Sequence, residues 1–330
     1  MARVTASAPR YDVVGIGNAL VDVIAHVDDD FLTRHELVKG AMTLVETDRA
    51  LELHRALPTA IEMSGGSAAN TVCGVASLGG SAAYVGKVSA DDLGGVFDHD
   101  LRAVGVRFAR AAQHADVPTG RCIIAVTDDA ERTMNTYLGA SSLLAPDDVD
   151  AEVVAAGAVL YMEGYLFDRD DAKAAFRRAA SIAHDAGRLV SLTLSDSFCV
   201  DRHREDFVGL VADEVDVLFG NADEICSLYE VDDLDTAVAA VRADCAMAAI
   251  TVGARGALVV TADGIVEVPA TPVPKVVDTT GAGDLFAAGF LFGLTHGHDP
   301  VGCARLGAIA AGEIISHVGP RPLVELRTLI

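Results

Sequence analysis

The chain has 330 residues, 51% of them apolar and 22% charged, enough for a folded core and too apolar for wholesale disorder. Its 48 Asp and Glu outweigh 25 Lys and Arg. The resulting net charge of −23 repels phosphate backbones and excludes nucleic acid as a partner.

Met1 to Arg10 lacks the apolar stretch of a secretory leader. Tyr11 to Ile16 reads as a strand running into Gly15-Ile16-Gly17-Asn18-Ala19-Leu20, where Leu20 occupies the place of the third glycine of a dinucleotide fingerprint. Val21 to Val27 and Met42 to Glu46 alternate around turn residues, and Gly120 to Val126 and Thr133 to Leu138 flank Asp128-Asp129. These read as half-buried antiparallel strands of a small β lid inserted from about residues 20–47 and 107–140. Between them, Ser64-Gly65-Gly66-Ser67-Ala68-Ala69-Asn70-Thr71 leads into a small-residue helical stretch, Val72 to Leu78.

The middle of the chain alternates strand and helix. Ala158 to Met162 is a short apolar run, and Val153 to Met162, at ten residues, is a length no other run exceeds. That is far below the roughly 18 or more residues of a membrane span, so no membrane contact is expected. Ala172 to Ala186 carries a helical apolar stripe that Gly187 ends. Leu189 to Leu194, Val215 to Phe219, Ala248 to Val252 and Ala257 to Val260 follow as further runs. This rhythm predicts an α/β fold with a doubly wound, mostly parallel sheet, helices on both faces, and one domain over 1–330. The cysteines at 73, 122, 199, 226, 245 and 303 form no CxxC pair and read as reduced, mostly buried thiols, with Cys122 and Cys226 the candidates for reactivity. A cytoplasmic location follows.

An anionic ligand needs a local positive site, from backbone N–H groups, a metal or a single arginine. The four lysines, Lys39, Lys87, Lys173 and Lys275, lie outside any P-loop setting, and protein-kinase HRD and DFG motifs are absent. The informative segment is Val276-Val277-Asp278-Thr279-Thr280-Gly281-Ala282-Gly283-Asp284, followed by an apolar helix. Gly281, Ala282 and Gly283 leave N–H groups uncovered at a helix N-terminus, an anion site. Asp284 in that first turn is placed to take a proton from a hydroxyl attacking a phosphoryl group, and the helix end is expected to lower its pKa. By itself the segment reads equally as a tight turn with a capping Asp. Gly65 and Gly66 allow close approach to backbone N–H groups, and Asn70 with Asn18 and Asp22 suits a sugar diol. The plainer reading of these is turn residues and a surface charge.

Together the motifs resemble the PfkB/ribokinase family of carbohydrate and nucleoside kinases, from about Asp12 to Pro322. DTTGAGD at 278–284 is similar to that family's C-terminal signature, GGSAAN at 65–70 to its N-terminal one, and NADE at 221–224 to its NxxE motif. The resemblance implies a ribokinase-like fold, ATP and Mg²⁺, Asp284 as base and the Gly281–Gly283 backbone as anion hole. It implies Asn18, Asp22, Gly65, Gly66 and Asn70 as hydroxyl ligands. Asn221 and Glu224 would organise Mg²⁺ through water, Thr251, Gly253 and Gly256 would hold the nucleotide, and Asp278 and Thr280 lie where some members bind a monovalent cation such as K⁺. Gly15 to Asp22 (GIGNALVD) and the stretches Thr119 to Cys122 and Glu131 to Tyr137 resemble the adenosine-kinase-like branch. There Arg132 is a lid-borne cation for phosphates, or else a solvated charge beside Glu131. Met42, Leu44, Met134, Tyr137 and Phe167 are the candidates to line a base. The expectation is phosphoryl transfer from ATP to the 5′-type hydroxyl of a nucleoside, adenosine foremost. A ribokinase- or fructokinase-like sugar kinase, or a non-catalytic sensor, is the alternative, in a monomer or homodimer.

Overall fold

In the computed structural model, residues 8–111, 116–129 and 131–330 are described. The chain opens with β1 (Tyr11–Ile16), β2 (Leu20–His26), α1 (Asp29–Arg34), β3 (Met42–Leu44) and α2 (Thr47–Ala56). Then come β4 (Ile61–Gly65), α3 (Ser67–Ser77), β5 (Ala82–Gly86), α4 (Asp92–Ala103), β6 (Arg107–Arg110), β7 (Gly120–Val126) and β8 (Arg132–Tyr137). The middle holds α5 (Ala151–Ala155), β9 (Gly157–Glu163), α6 (Asp170–Asp185), β10 (Leu189–Thr193), α7 (Ser197–Glu214) and β11 (Val217–Asn221). The last part holds α8 (Ala222–Tyr229), α9 (Leu234–Asp244), β12 (Met247–Thr251), β13 (Ala257–Thr261), β14 (Gly264–Val268), α10 (Ala282–Thr295) and α11 (Pro300–Ile314).

Nine strands form the main sheet in the order β14-β13-β12-β11-β10-β9-β1-β5-β6. All neighbours from β12 to β6 pair in parallel, and β13 and β14 add an antiparallel edge. The continuous apolar runs are explained by burial on both faces. Val159 and Tyr161 of β9 enter a core with α3, α4, α10 and α11, while Leu160 and Met162 enter the opposite one with α5 to α9. Side-chain caps start the helices at the expected residue types: Asp91, Asp196, Asp233 and Asp299 each accept a first-turn N–H of α4, α7, α9 and α11.

The lid is a five-stranded sheet, β3-β8-β7-β2-β4. Two expectations are corrected here. β7 and β8 are antiparallel as read, but β2 runs parallel to β7 and β3 parallel to β8, so the lid is mixed. It also recruits β4, whereas β6 at 107–110 pairs with β5 in the main sheet. Strand partners are set by long-range closure, which local alternation does not encode. Alternation along β7 splits its side chains: Ala125 packs under Phe31 and Leu32 of α1, while Cys122, Ile124 and Val126 form an apolar patch with Ile24 and Met134 on the other face.

One buried ion pair ties the body together. Lys87 Nζ lies 2.6 Å from Asp148 Oδ2, with side chains only 4% and 7% exposed, and it also donates to the Leu143 carbonyl. No helix among the described residues is long and apolar enough to cross a membrane.

Candidate active site

β1 lies between β9 and β5, so the chain leaves it in both directions and a crevice opens at the carboxyl ends of these strands. Glu163, the last residue of β9, is 1% exposed and fills that crevice. Its Oε1 accepts the backbone and side-chain N–H groups of Asn18, and its Oε2 accepts Ala68 N–H in the first turn of α3. Burial pushes its carboxyl up to about 7, partly offset by those three hydrogen bonds. Ser141 donates to the remaining Asn18 oxygen at 2.9 Å. The Asn18 side chain bonds Glu163 and Ser141 and is not among the residues lining the cavity. In this geometry Asn18 scaffolds the turn after β1.

The acceptor loop connects β4 to α3. Gly66 has φ +94°, and a Cβ there would stand 2.3 Å from the Asn18 carbonyl, so the turn requires glycine. The next residues converge on Asp284: Ser67 Oγ donates to Oδ1 at 2.6 Å, Asn70 Nδ2 to Oδ2 at 2.9 Å, and Thr71 Oγ1 to the Asp284 carbonyl at 3.2 Å. The Asn70 side-chain oxygen is buried without a partner among the described residues. Burial raises the Asp284 carboxyl above its usual range, against the pull of Ser67, Asn70 and the Arg321 charge. The expectation of a lowered value is overturned because desolvation outweighs the helix end. A raised carboxyl is a better proton acceptor.

Gly281 is the N-cap of α10 in the left-handed region, φ +79°, with no side-chain cap. Ala282 N–H is taken by the Thr279 carbonyl at 3.1 Å, so the Ala282 part of the expected anion hole is already satisfied. Gly283 and Asp284 keep first-turn N–H groups without an intrahelical acceptor.

Two cavities meet at this helix end. The first, about 560 Å³, is lined by Asp22, Gly66, Asn70 and Asp284 at its polar end and by Cys122, Ile124 and Met134 of the lid. The second, about 570 Å³, is mainly apolar; Thr271, Val273, Ala308, Ala311 and Ile315 line it, with Gly253 and Gly256 at its rim. Thr251, Thr279, Ala282, Gly283 and Phe286 belong to both walls. Gly65 lies just outside, at the β4 end paired to Leu20. Of the expected base-lining residues only Met134 reaches the first cavity. Met42 and Leu44 are 42% and 45% exposed, Tyr137 is buried outside the lining, and Phe167 stacks on Phe207 in the core. Cys122 lines the cavity, but burial pushes its thiol up to about 12, so the buried reading holds over the reactive one.

Arg132 reaches from the lid to the loop before α10. Its Nη1 donates to Asp278 Oδ2 at 2.5 Å and to Thr280 Oγ1 at 3.0 Å, while Nε and Nη2 are buried without partners among the described residues. Asp278 Oδ1 accepts Thr280 N–H and Oγ–H, and Oδ2 also accepts Gly319 N–H. The Asp278 carboxylate is thus spent on protein donors, with the guanidinium as its cation, which corrects the expected monovalent-cation site at Asp278 and Thr280. Arg132 itself is no solvated charge.

Asn221 and Glu224 form a capping box at the start of α8, each side chain bonding the other's backbone N–H. Both carboxylate oxygens of Glu224 face Asn221 donors. Burial, with Asp196 and Asp223 nearby, pushes Glu224 up to about 7. A carboxylate at a cavity wall with acidic neighbours and no paired cation among the described residues is one that a divalent ion suits. No group of three or more His, Cys, Asp and Glu side chains converges for a metal among the described residues. Mg²⁺ held there would draw its other ligands from water and phosphate.

Most of the expected residues do converge: Asp22, Gly66, Asn70, Asn221, Glu224, Thr251 and Gly281 to Asp284 share one cavity. Ser67, Glu163 and Arg321 went unread. Ser67 sits inside the quoted GGSAAN run and carries a hydroxyl, a signal that was available. Glu163 ends an apolar run and Arg321 sits in a Pro-rich tail, with nothing local to mark either.

A family model described as pfkB family carbohydrate kinase matches residues 36–326. The solved adenosine kinase of Sinorhizobium meliloti is 52% identical, with a TM-score of 0.89 over 97% of this chain and 98% of that one. The solved probable sugar kinase of Rhizobium etli CFN 42 is 48% identical, with a TM-score of 0.90 over 97% and 98%. The adenosine kinase of Saccharomyces cerevisiae is 28% identical over 93% of this chain and 96% of its own.

Proposed function

The chain belongs to the pfkB family of carbohydrate kinases, and we propose that it transfers the γ-phosphoryl group of ATP to the 5′-hydroxyl of a ribonucleoside, adenosine foremost. The carrying observation is the place of Asp284, on the wall of a polar-and-apolar cavity and next in sequence to Gly283, which that cavity shares with a mainly apolar one. The first cavity suits an acceptor with a diol at one end and a flat apolar body at the other. Asp22, Asn70 and the Gly66 turn offer hydroxyl partners, and Ile124 and Met134 offer an apolar surface. A free sugar would leave that lid surface without a partner. The second cavity suits the base of the donor.

In this reading the acceptor oxygen forms a bond to the γ-phosphorus as the bond to the β–γ bridging oxygen breaks, releasing ADP. Asp284 takes the hydroxyl proton. The N–H groups of Gly283 and Asp284 stabilise charge on the moving group. Bound Mg²⁺, organised through Asn221 and Glu224, would screen the phosphates. Arg132 holds the lid against the Asp278 loop, which excludes water from the transfer. The covered outer face of the lid, with α1 packed on it, favours a monomer. The free cysteines fit a cytoplasmic, reducing setting.

The test is ADP release over a panel of nucleosides and sugars. Adenosine should give the highest kcat/KM. A higher value for ribose or fructose overturns the acceptor assignment.

A further inference from the structure

We infer that Gly319-Pro320-Arg321 is a strap that holds the acceptor loop and the anion-binding loop in register, with Arg321 as its positioning residue. The inference rests on the kinase reading but concerns residues that neither motif contains. Gly319 N–H donates to Asp278 Oδ2 at 3.0 Å. Pro320 packs on the N-cap of α10, where a Cβ at Gly281 would lie 3.1 Å from the Pro320 Cα. Arg321 then turns the other way: Nη1 donates to the Ala69 carbonyl at 2.9 Å, and Nη2 to the carbonyl and hydroxyl of Ser64, each at 3.0 Å.

Three consecutive residues therefore grip both loops. The guanidinium spans the acceptor loop from its entry at Ser64 to the first turn of α3 at Ala69. The planar fork matters, because its two arms set two carbonyls at a fixed spacing, and a single ammonium cannot. Ser67 and Asn70 lie between those anchors and bond Asp284. A shift of the loop would move both donors off the carboxylate, and misplacement of about 1 Å can cost about 100-fold in rate.

Arg321 makes no hydrogen bond to Asp284 or Asp22, yet its charge favours the ionised form of both. The other titratable groups facing Asp284 are Asp22 from β2, Glu163 and Tyr161 from β9, and Tyr165 just beyond it. Arg321 is the cation acting directly on Asp284. Its loss should leave the base harder to ionise. On its far side Arg321 lines a cavity of about 780 Å³ with Cys73, Asp100 and Val104, a route for a small cation to reach its place.

The experiment compares Arg321→Met, Arg321→Lys and Arg321→Ala with the parent. Arg321→Met should lower kcat about 10-fold or more, leave KM for ATP within about 2-fold, and move the acid limb of kcat to higher pH. Arg321→Lys should lower kcat with the acid limb in place, since charge is kept and the fork is lost. Arg321→Ala should regain activity with millimolar ethylguanidinium. Hydrogen exchange, which needs no acceptor, should quicken together in peptides spanning 64–72 and 278–285 in Arg321→Met. Unchanged kcat and acid limb, or faster exchange in 64–72 alone, overturns the strap. If the parent phosphorylates no nucleoside while the coupled exchange appears, the acceptor assignment fails and the strap stands.

Discussion

Ser67 donates its hydroxyl to Asp284 at 2.6 Å across 217 positions of chain, and with Asn70 it holds both carboxylate oxygens at the wall of the first cavity. If Asp284 takes the acceptor proton, Asp284→Asn should lower kcat by about 100- to 10,000-fold with modest change in KM. Retention of near-parent turnover by that variant would remove proton transfer from the mechanism.

Asp22 gives the acceptor site a pH signature. Burial pushes its carboxyl up to about 6, with Arg321 and Arg132 opposing and Asp284 adding to the rise. Below that pH it becomes protonated and stops accepting two hydroxyl donors at once. KM for the nucleoside should therefore climb as pH falls through about 6, and Asp22→Asn should flatten that limb while raising KM throughout. A parent-like limb in Asp22→Asn assigns the titration to another group.

Arg132 fastens the lid to Asp278 and Thr280 through one nitrogen. Arg132→Met removes both of these bonds, so kcat should fall about 10-fold or more. The sharper readout is ATP hydrolysis without acceptor, measured as a ratio to transfer. A loosened lid admits water, so the ratio should rise. An unchanged ratio in Arg132→Met argues that the lid closes by other means.

Glu163 predicts an opposite slope in stability. Its folded carboxyl sits near 7 against an ordinary 4.5, so the native state holds the proton more tightly than the unfolded chain. Its contribution to stability is full below pH 4.5, declines as pH rises to about 7, and is level above that, worth at most about 3 kcal/mol. Glu163→Gln loses a hydrogen bond but escapes this decline. Urea midpoints of parent and variant should converge from pH 4.5 to 7. Parallel curves would show that Glu163 titrates normally.

The Lys87–Asp148 pair is nearly dry. Lys87→Met or Asp148→Ala strands a buried charge and should cost about 3–5 kcal/mol, whereas the double replacement Lys87→Met with Asp148→Leu should cost much less. Additive losses in the double variant, read from denaturant midpoints, would show that the two do not act as a pair.

Local chemistry made a good part of this protein legible. The apolar runs at 158–162, 189–194, 215–219 and 248–252 announce buried parallel strands, because a sheet covered on both faces takes mostly apolar side chains on both sides of each short strand. The run 278–284 announces a helix start without a side-chain cap, because Gly281 and the small residues after it offer none. These are short-range consequences of residue type.

What tertiary structure alone decided depends on meetings between distant segments. The lid's strand order joins β2 to β7 and β4, a closure that alternation within each strand does not specify. Asn18 acquires its scaffolding contacts only from Glu163 and Ser141, more than a hundred positions away. Asp278 looked like a cation ligand until Arg132 arrived from the lid. Asp284 looked like a weak base until packing removed its water and raised its pKa. In each case residue type set what a side chain could do, and burial and partner supply, which depend on the whole fold, set what it does.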